Sequence, residues 1–265
     1  MEKEADAQLF DVHAHHPEKT AAGAAHAFVA SGFSAESNEE VLSYARAHGC
    51  FFSLGLGPQE IQRVEKYPDL QSGISEMERQ AETAKKDAQL SRLFVAIGEV
   101  GLDKHWGKTV EERERQFLAF ERMISLAGRL DLPLVIHSRD AEKECIQQLL
   151  GASQLRTAGG RPPLRVLMHC FGGKLEEAKR CADAGWLVSI PPQANSERKK
   201  IIKALPLSAL VVESDAPYIG KMSADAMGAA EMIARYKEMK TEDVLRAASD
   251  NARKFFALPH LGKKL

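Results

Sequence analysis

Residues 94–137 contain the stretch that decides the fold: Phe94-Val95-Ala96-Ile97-Gly98, then the longer segment Glu111–Arg129, then Leu134-Val135-Ile136-His137. Apolar residues dominate both short runs, so each run predicts a β-strand. The segment between them predicts an amphipathic helix, because charged residues surround one apolar stripe formed by Phe117, Phe120, Ile124 and Ala127. A strand, a crossover helix and a second strand predict parallel strands joined by a right-handed connection.

The rest of the chain repeats this alternation of short strands and longer helical segments. Eight strands are predicted: Gln8–Val12, His26–Ala30, Phe51–Leu54, Phe94–Gly98, Leu134–His137, Arg165–His169, Trp186–Ile190 and Leu210–Glu213. Eight strand–helix units in a chain of 265 residues predict an α/β fold, a single (β/α)₈ TIM barrel that forms one domain over residues 1–265. A doubly wound open sheet is the alternative. The first strand has no glycine-rich GxGxxG after it, which disfavours a dinucleotide-binding version of that sheet.

Composition excludes several classes of protein. Apolar residues make up 44% of the chain and charged residues 28%, as in an ordinary globular protein. The net charge of −1 gives no overall basic field, so any contact with nucleic acid must be local and assisted by metal. The segment Met1–Leu9 lacks the apolar stretch of a signal peptide, and no apolar run approaches the roughly 18 residues of a membrane-spanning helix. Four cysteines without CxxC spacing favour free thiols. We therefore expect a cytoplasmic protein without a membrane partner. The sequence leaves the oligomeric state open, with a monomer as the default expectation.

Six metal-binding residue types lie at the carboxyl ends of predicted strands. In a barrel these ends share one face, which is where active sites form, so side chains spread over 200 positions should meet in one pocket. Each residue alone has an ordinary structural or solvated interpretation. Together, four histidines and two acids match the ligand count of a two-metal site with one bridging carboxylate; the six are His13, His15, Glu99, His137, His169 and Asp215.

Five motifs in order resemble those of the TatD-related metal-dependent hydrolases. They are Phe10-Asp11-Val12-His13-Ala14-His15, Ile97-Gly98-Glu99-Val100-Gly101-Leu102-Asp103, Leu132-Pro133-Leu134-Val135-Ile136-His137-Ser138-Arg139-Asp140, His169-Cys170-Phe171-Gly172-Gly173 and Val212-Glu213-Ser214-Asp215-Ala216-Pro217-Tyr218. With the ending Asn251–Phe256 they span residues 10–256. The resemblance implies an amidohydrolase-type barrel that hydrolyses DNA phosphodiester bonds as a 3′–5′ exonuclease or an endonuclease, with single-stranded DNA ends as the expected substrate.

The resemblance also implies roles for single residues. His13, His15 and Asp215 would hold one divalent ion, His137 and His169 a second, and Glu99 would bridge the two. Asp215 and Glu99 are therefore the expected catalytic residues, with Asp215 taking a proton from water. The identity of the ions stays open among Zn, Mn, Mg, Ni and Co.

Arg139 is the expected substrate-binding residue, because its guanidinium matches phosphate oxygens; an ion pair with a nearby acid is the alternative. Trp106 follows the fourth strand, and we expect it to cover the barrel rim, with stacking on a base as the alternative.

The sequence departs from the family after the third strand. The family there carries a Gly-Ile-His-Pro-His type of turn, whereas this chain reads Gly55-Leu56-Gly57-Pro58-Gln59. In that family the first histidine faces the scissile phosphate, and glycine has no side chain that can donate a proton. The departure leaves two alternatives open: a metal-dependent hydrolase of another ester, an amide or a small phosphoester, and a catalytically degenerate barrel.

Overall fold

The structure is a computed structural model that describes residues 8–21, 24 and 26–258. Residues 1–7 of the segment Met1–Leu9 lie outside the described residues. The prediction of one domain over residues 1–265 also reaches beyond them at both ends.

Eight parallel strands pair in the order in which they occur along the chain. This confirms the prediction of a (β/α)₈ barrel. The strands are β1 (Phe10–Ala14), β2 (Ala27–Ser31), β3 (Phe51–Leu54), β4 (Phe94–Asp103), β5 (Leu134–Arg139), β6 (Val166–Met168), β7 (Leu187–Ile190) and β8 (Leu210–Val212).

Helices follow the strands around the outside of the barrel. They are α1 (Pro17–Thr20), α2 (Ala35–His48), α3 (Pro58–Ile61), α4 (Leu70–Lys86), α5 (Val110–Leu130), α6 (Glu142–Ala158), α7 (Leu175–Asp183), α8 (Ser196–Ala204), α9 (Ala226–Lys237) and α10 (Thr241–Phe255). The helices α1 and α3 have four residues each, which are too few to show a helical period in the sequence. No helix of the described residues is long and apolar enough to cross a membrane.

The helix α5 shows how the sequence sets an element's ends and its buried face. Thr109 caps the amino terminus: its side chain accepts a hydrogen bond from the Glu112 N–H, and the Glu112 side chain accepts one from the Thr109 N–H. Phe120, Ile124 and Ala127 are buried as predicted. Phe117 was wrongly placed on this stripe, because it is 44% exposed and Met123 and Leu126 complete the buried face instead.

A cluster of apolar side chains fills the lower part of the barrel interior. All eight strands contribute to it, and Phe255 and Phe256 at the end of α10 pack against it from below. Along β5 and β6, the interior residues Val135 and Leu167 are followed two positions later by His137 and His169. Because successive side chains of a strand alternate between faces, these histidines point inward above the apolar layer.

Asp11 joins β1 to the segment that follows β8. Its carboxylate accepts hydrogen bonds from the backbone N–H and the hydroxyl of Ser214, at 2.9 and 2.7 Å. Burial raises the pKa of Asp11 to about 7, although these hydrogen bonds lower it. The Asp215 N–H donates to the His13 carbonyl at 3.1 Å, so the barrel closes where two of the predicted site residues stand.

Candidate metal centre

The first part of the centre is a histidine pair at the end of β1. The register of β1 against β2 shifts between Asp11 and Ala14, so the strand is irregular where the pair stands. Ser31 of β2 anchors both outer ring nitrogens: its carbonyl lies 2.9 Å from His15 Nδ1 and its hydroxyl 3.1 Å from His13 Nδ1. The two Nε2 atoms then face each other at 3.0 Å. A neutral His15 that donates from Nδ1 has its Nε2 lone pair free for a cation.

Glu99 lies at the middle of the centre, inside β4. The prediction that it follows the fourth strand was wrong, because β4 continues to Asp103 and pairs with β5 over Val100–Asp103. Its Oε2 lies 3.3 Å from His15 Nε2 and 3.7 Å from His13 Nε2. Its Oε1 lies 2.7 Å from His137 Nδ1 and 3.9 Å from His169 Nε2. The two oxygens of one carboxylate therefore face two different pairs of histidines.

His137 lies between two carboxylates. Its Nδ1 faces Glu99, and its Nε2 lies 2.7 Å from Asp103 Oδ2. Burial alone would lower the pKa of His137, but Glu99 and Asp103 raise it well above its ordinary value. Burial alone would raise the pKa of Glu99, but His137, His13 and His15 together hold it well below its usual range. The carboxylate of Glu99 is therefore ionised.

His169 has no hydrogen-bond partner for either ring nitrogen in the described part of the chain, although it is buried. Its ring stacks on His13 at 4.0 Å between centroids, and its Nδ1 lies 3.7 Å from Glu213 Oε2. Burial lowers the pKa of His169, so its imidazole is neutral. A buried, neutral and unpartnered imidazole is the form that binds a metal ion.

Asp215 completes the set predicted from the sequence. One of its oxygens lies 3.7 Å from His15 Nε2, and its carboxylate also lies near His13 and His169. Burial raises the pKa of Asp215, although His169 and His13 oppose the rise.

Ligand atoms of all six predicted residues come together in three overlapping groups, each with its atoms within 4.8 Å of one another. The groups are His13, His15 and Glu99; Glu99, His137 and His169; and His13, His169 and Asp215. Imidazole nitrogens and carboxylate oxygens are the donors that zinc and related divalent ions take, and the unpartnered nitrogens of His169 fit such an ion.

Arg139 stands apart from these groups, at the exposed end of β5. It pairs in the sheet with Asp103; burial opposes ionisation of that carboxyl, but His137, the Trp106 N–H and, to a smaller extent, the charge of Arg139 lower its pKa below the ordinary value. Its guanidinium forms neither an ion pair nor a side-chain hydrogen bond with any described residue. The acid nearest to Arg139 in the sheet pairing is Asp103, on which its charge acts without a direct contact.

Gln59 occupies the position where the family has its second histidine. Its Nε2 donates to Glu99 Oε1 at 3.1 Å, while its buried Oε1 has no partner among the described residues. A Cβ atom added at Gly57 would lie 2.8–3.0 Å from the Gln59 side-chain amide. The amide thus occupies space that a larger residue at position 57 would need.

Sequence reasoning did not assign roles to three polar residues next to the ligand candidates. Asp103 contacts His137, Glu213 lies against His169, and Ser31 anchors His13 and His15. Asp103 and Glu213 both end or follow an apolar strand, which was the signal used to select Glu99 and Asp215. Ser31 carries no comparable signal.

Comparisons with known proteins find relatives among metal-dependent hydrolases and deoxyribonucleases. Residues 7–257 match the family described as TatD related DNase. The chain is 30% identical over 185 residues to the uncharacterized metal-dependent hydrolase YabD of Bacillus subtilis, covering 65% of this chain and 69% of that protein. It is 35% identical over 182 residues to the deoxyribonuclease TATDN3 of Homo sapiens, covering 64% of this chain and 63% of that protein. The match therefore spans less than two thirds of the human protein.

A solved structure shares the fold. The crystal structure of YjjV, a TatD homologue from Escherichia coli, superposes with a TM-score of 0.76 at 22% identity, covering 95% of this chain and 98% of that one. At this identity the likeness shows the architecture alone.

Proposed function

Because the chain belongs to the family of TatD-related deoxyribonucleases, a family that includes metal-dependent hydrolases, we propose that it hydrolyses DNA phosphodiester bonds at single-stranded ends. One observation carries the proposal: the two oxygens of Glu99 face His15 and His137 on opposite sides, at 3.3 and 2.7 Å. A buried carboxylate between two histidine pairs is suited to bridging two cations.

The proposed ligand sets are the ones that the sequence indicated. His13, His15 and Asp215 would hold one divalent ion, His137 and His169 would hold a second, and Glu99 would contact both. The candidates are zinc, manganese, magnesium, nickel and cobalt; the four imidazoles favour zinc, nickel and cobalt over magnesium, which prefers oxygen ligands. Such ions lower the pKa of a water molecule and offset the charge that develops on phosphate oxygens.

Asp215 is proposed as the group that receives the water proton. One of its oxygens lies 3.7 Å from His15 Nε2 among the proposed ligands, so the carboxylate would hold a metal ion with one oxygen and take up the water proton with the other. The water oxygen forms the new bond to phosphorus, and the bond to the leaving sugar oxygen breaks. The proton held on Asp215 then neutralises that leaving oxygen.

Arg139 is proposed to bind the substrate. Its exposed guanidinium at the rim can hold a non-bridging phosphate oxygen through parallel hydrogen bonds. Glu99 would contribute by holding the ligand histidines in place through its fixed negative charge.

A second candidate function follows from Gly57 and Gln59. A neutral amide contacts Glu99 where the family has histidine, so no imidazole is available from this turn to donate a proton. A site with this turn would also suit hydrolysis of another ester, an amide or a small phosphoester. A barrel that binds metal without catalysing any hydrolysis is the remaining alternative. The metal ligands are common to all three.

A substrate panel separates these functions. Metal-loaded protein would be offered single-stranded DNA labelled at either end, duplex DNA, bis-p-nitrophenyl phosphate, p-nitrophenyl phosphate and p-nitrophenyl acetate. The proposal expects cleavage of single-stranded DNA and of the phosphodiester. Cleavage of the acetate or the monoester alone would favour the second candidate, and intact substrates throughout would indicate the degenerate barrel. Gel filtration of the same sample tests the proposed monomer.

A further inference from the structure

Trp106 stands exposed at the rim and is linked to the candidate metal centre. The sequence left covering the rim and stacking on a base as alternatives, and the side chain is 54% exposed. Its backbone N–H donates to Asp103 Oδ1 at 2.9 Å, and the other oxygen of the same carboxylate lies 2.7 Å from His137 Nε2. The turn that carries this indole is therefore fixed to a proposed ligand.

Tyr218 is a second exposed ring, fixed to the other side of the centre. It is 61% exposed, and its ring centroid lies 5.2 Å from that of His15. Its backbone N–H donates to the Asp215 carbonyl at 2.9 Å. The junction of β8 with β1 lies opposite β4 and β5 in an eight-stranded barrel, so the two rings stand on opposite sides of the mouth.

Exposed aromatic rings beside the candidate metal centre can bind a ligand by stacking, which does not depend on the ligand's hydrogen-bond donors and acceptors. We propose that Trp106 and Tyr218 are stacking sites for unpaired nucleobases, one on each side of the phosphodiester that reaches the centre. Stacking needs bases that are not already stacked in a duplex, so the pair of rings selects single-stranded nucleic acid with little sequence preference. This inference rests on the proposed function and names the substrate features that the rim recognises.

Arg139 supplies the complementary charge. It ends β5 at the same rim and pairs with Asp103 at the end of β4. It therefore lies next to the turn that carries Trp106. A cation next to an aromatic ring matches the alternation of phosphate and base along a single strand. A protein partner lacks this alternation of phosphate and base, so the arrangement of charge and rings favours nucleic acid.

The binding test uses a fluorescein-labelled oligo(dT) with phosphorothioate linkages, titrated into the metal-loaded protein and followed by anisotropy. Trp106→Ala and Tyr218→Ala should each weaken binding about ten-fold. Phe117→Ala, which removes an exposed ring from the outer face of α5, should leave binding unchanged. An abasic strand of the same length should bind wild type and both rim variants equally weakly.

Tryptophan emission gives an independent readout, because the other tryptophan, Trp186, is 2% exposed. Oligo(dT) should quench the emission of wild type and not that of Trp106→Phe. Tyr218→Phe should bind like wild type, since it keeps the ring; a loss equal to that of Tyr218→Ala would assign the role to the hydroxyl and overturn stacking at this position.

Unchanged binding in both alanine variants, or equal binding of abasic and dT strands by wild type, would overturn the inference. Hydrolysis of methyl p-nitrophenyl phosphate by wild type, measured alongside, separates this failure from that of the proposed function. If wild type cleaves this small diester while the rings have no effect, only the stacking sites are wrong. If it neither cleaves the diester nor binds the strand, both proposals fail.

Discussion

Asp103 Oδ2 lies 2.7 Å from Nε2 of His137, on the side of the ring opposite Glu99. The ring of His137 is therefore held at both nitrogens. A carboxylate behind a histidine ligand orients the ring and raises its basicity, and losing such a partner typically weakens metal binding 10- to 100-fold. Asp103 is thus expected to position His137 without contacting substrate.

Asp103→Asn should weaken metal binding by about 10- to 100-fold while the protein stays folded. Competition with a chromogenic chelator measures the affinity, and circular dichroism checks the fold. Asp183→Asn, at the exposed end of α7, is the matched control and should bind metal like wild type. Equal affinity in the two variants would show that Asp103 does not position the ligand.

Metal addition should stabilise the folded protein. The centre gathers buried histidines, one of them without hydrogen-bond partners in the described structure, around two acids. An ion at 100 times its dissociation constant adds about 2.7 kcal/mol to the free energy of unfolding, which corresponds to a rise in Tm of roughly 5–10 °C at this chain length.

Glu99→Gln should remove most of that gain, because it deletes the carboxylate shared by two of the three groups. Glu176→Gln changes an exposed glutamate of α7 and should keep the full gain. Calorimetry of chelator-treated protein, with and without manganese or zinc, compares the three proteins. A full gain in Glu99→Gln would contradict the proposed ligand set.

Gly57 and Gln59 should act as one unit. An added Cβ at position 57 would meet the Gln59 amide within 3 Å, and that flexible amide would move away from Glu99. Gly57→Ala and Gln59→Ala should therefore each lower kcat/KM by about ten-fold, the value of one hydrogen bond to a charged group. The double variant should lose no more than Gln59→Ala alone. Additive losses would show that Gly57 acts independently of the amide.

Glu142 should make stability depend on pH. Burial, together with the negative charges of Glu177 and Asp140, raises the pKa of Glu142 from 4.5 to about 7. Above pH 7 the group is ionised in both the folded and the unfolded protein, and the folded state carries the cost of a buried charge. Below pH 4.5 it is neutral in both states and that cost is absent. Stability from this group therefore falls as pH rises from about 4.5 to 7.

Glu142→Gln removes the charge, so it should stabilise the protein at pH 8 by about 1–2 kcal/mol and have little effect at pH 4.5. Urea unfolding at the two pH values measures the difference. The exposed neighbour Lys143 offers a control, since Lys143→Gln should show no such pH-dependent gain. An equal effect of Glu142→Gln at both pH values would contradict the raised pKa.

Much of the fold followed from periodicity, because buried parallel strands read as short apolar runs between amphipathic helices. The end of β4 could not be predicted from periodicity. Gly98, Glu99 and Gly101 interrupt the apolar run, yet backbone pairing with β5 carries the strand on to Asp103. Pairing between backbones leaves no trace in the side-chain pattern, so Glu99 was placed after the strand that contains it.

The six ligand candidates could be found because histidines and acids at strand ends are out of place in apolar runs. The residues that hold these ligand candidates in place could not be found from the sequence. Ser31 uses a carbonyl as well as its hydroxyl, and Gln59 is positioned by a turn that folds its amide over Gly57. Such contacts depend on which strands and turns become neighbours in the fold, and the pattern of a single sequence does not indicate those neighbours.

The central claim is that chemistry at the Glu99–His137 centre cleaves DNA. Wild type and His137→Ala would be stripped of metal, resupplied with magnesium, manganese, zinc or cobalt, and incubated with single-stranded DNA labelled at either end. We predict cleavage by wild type that requires metal and that falls by at least about 100-fold in His137→Ala. Equal cleavage by the variant, or none by a wild type that holds its metal, would contradict the account.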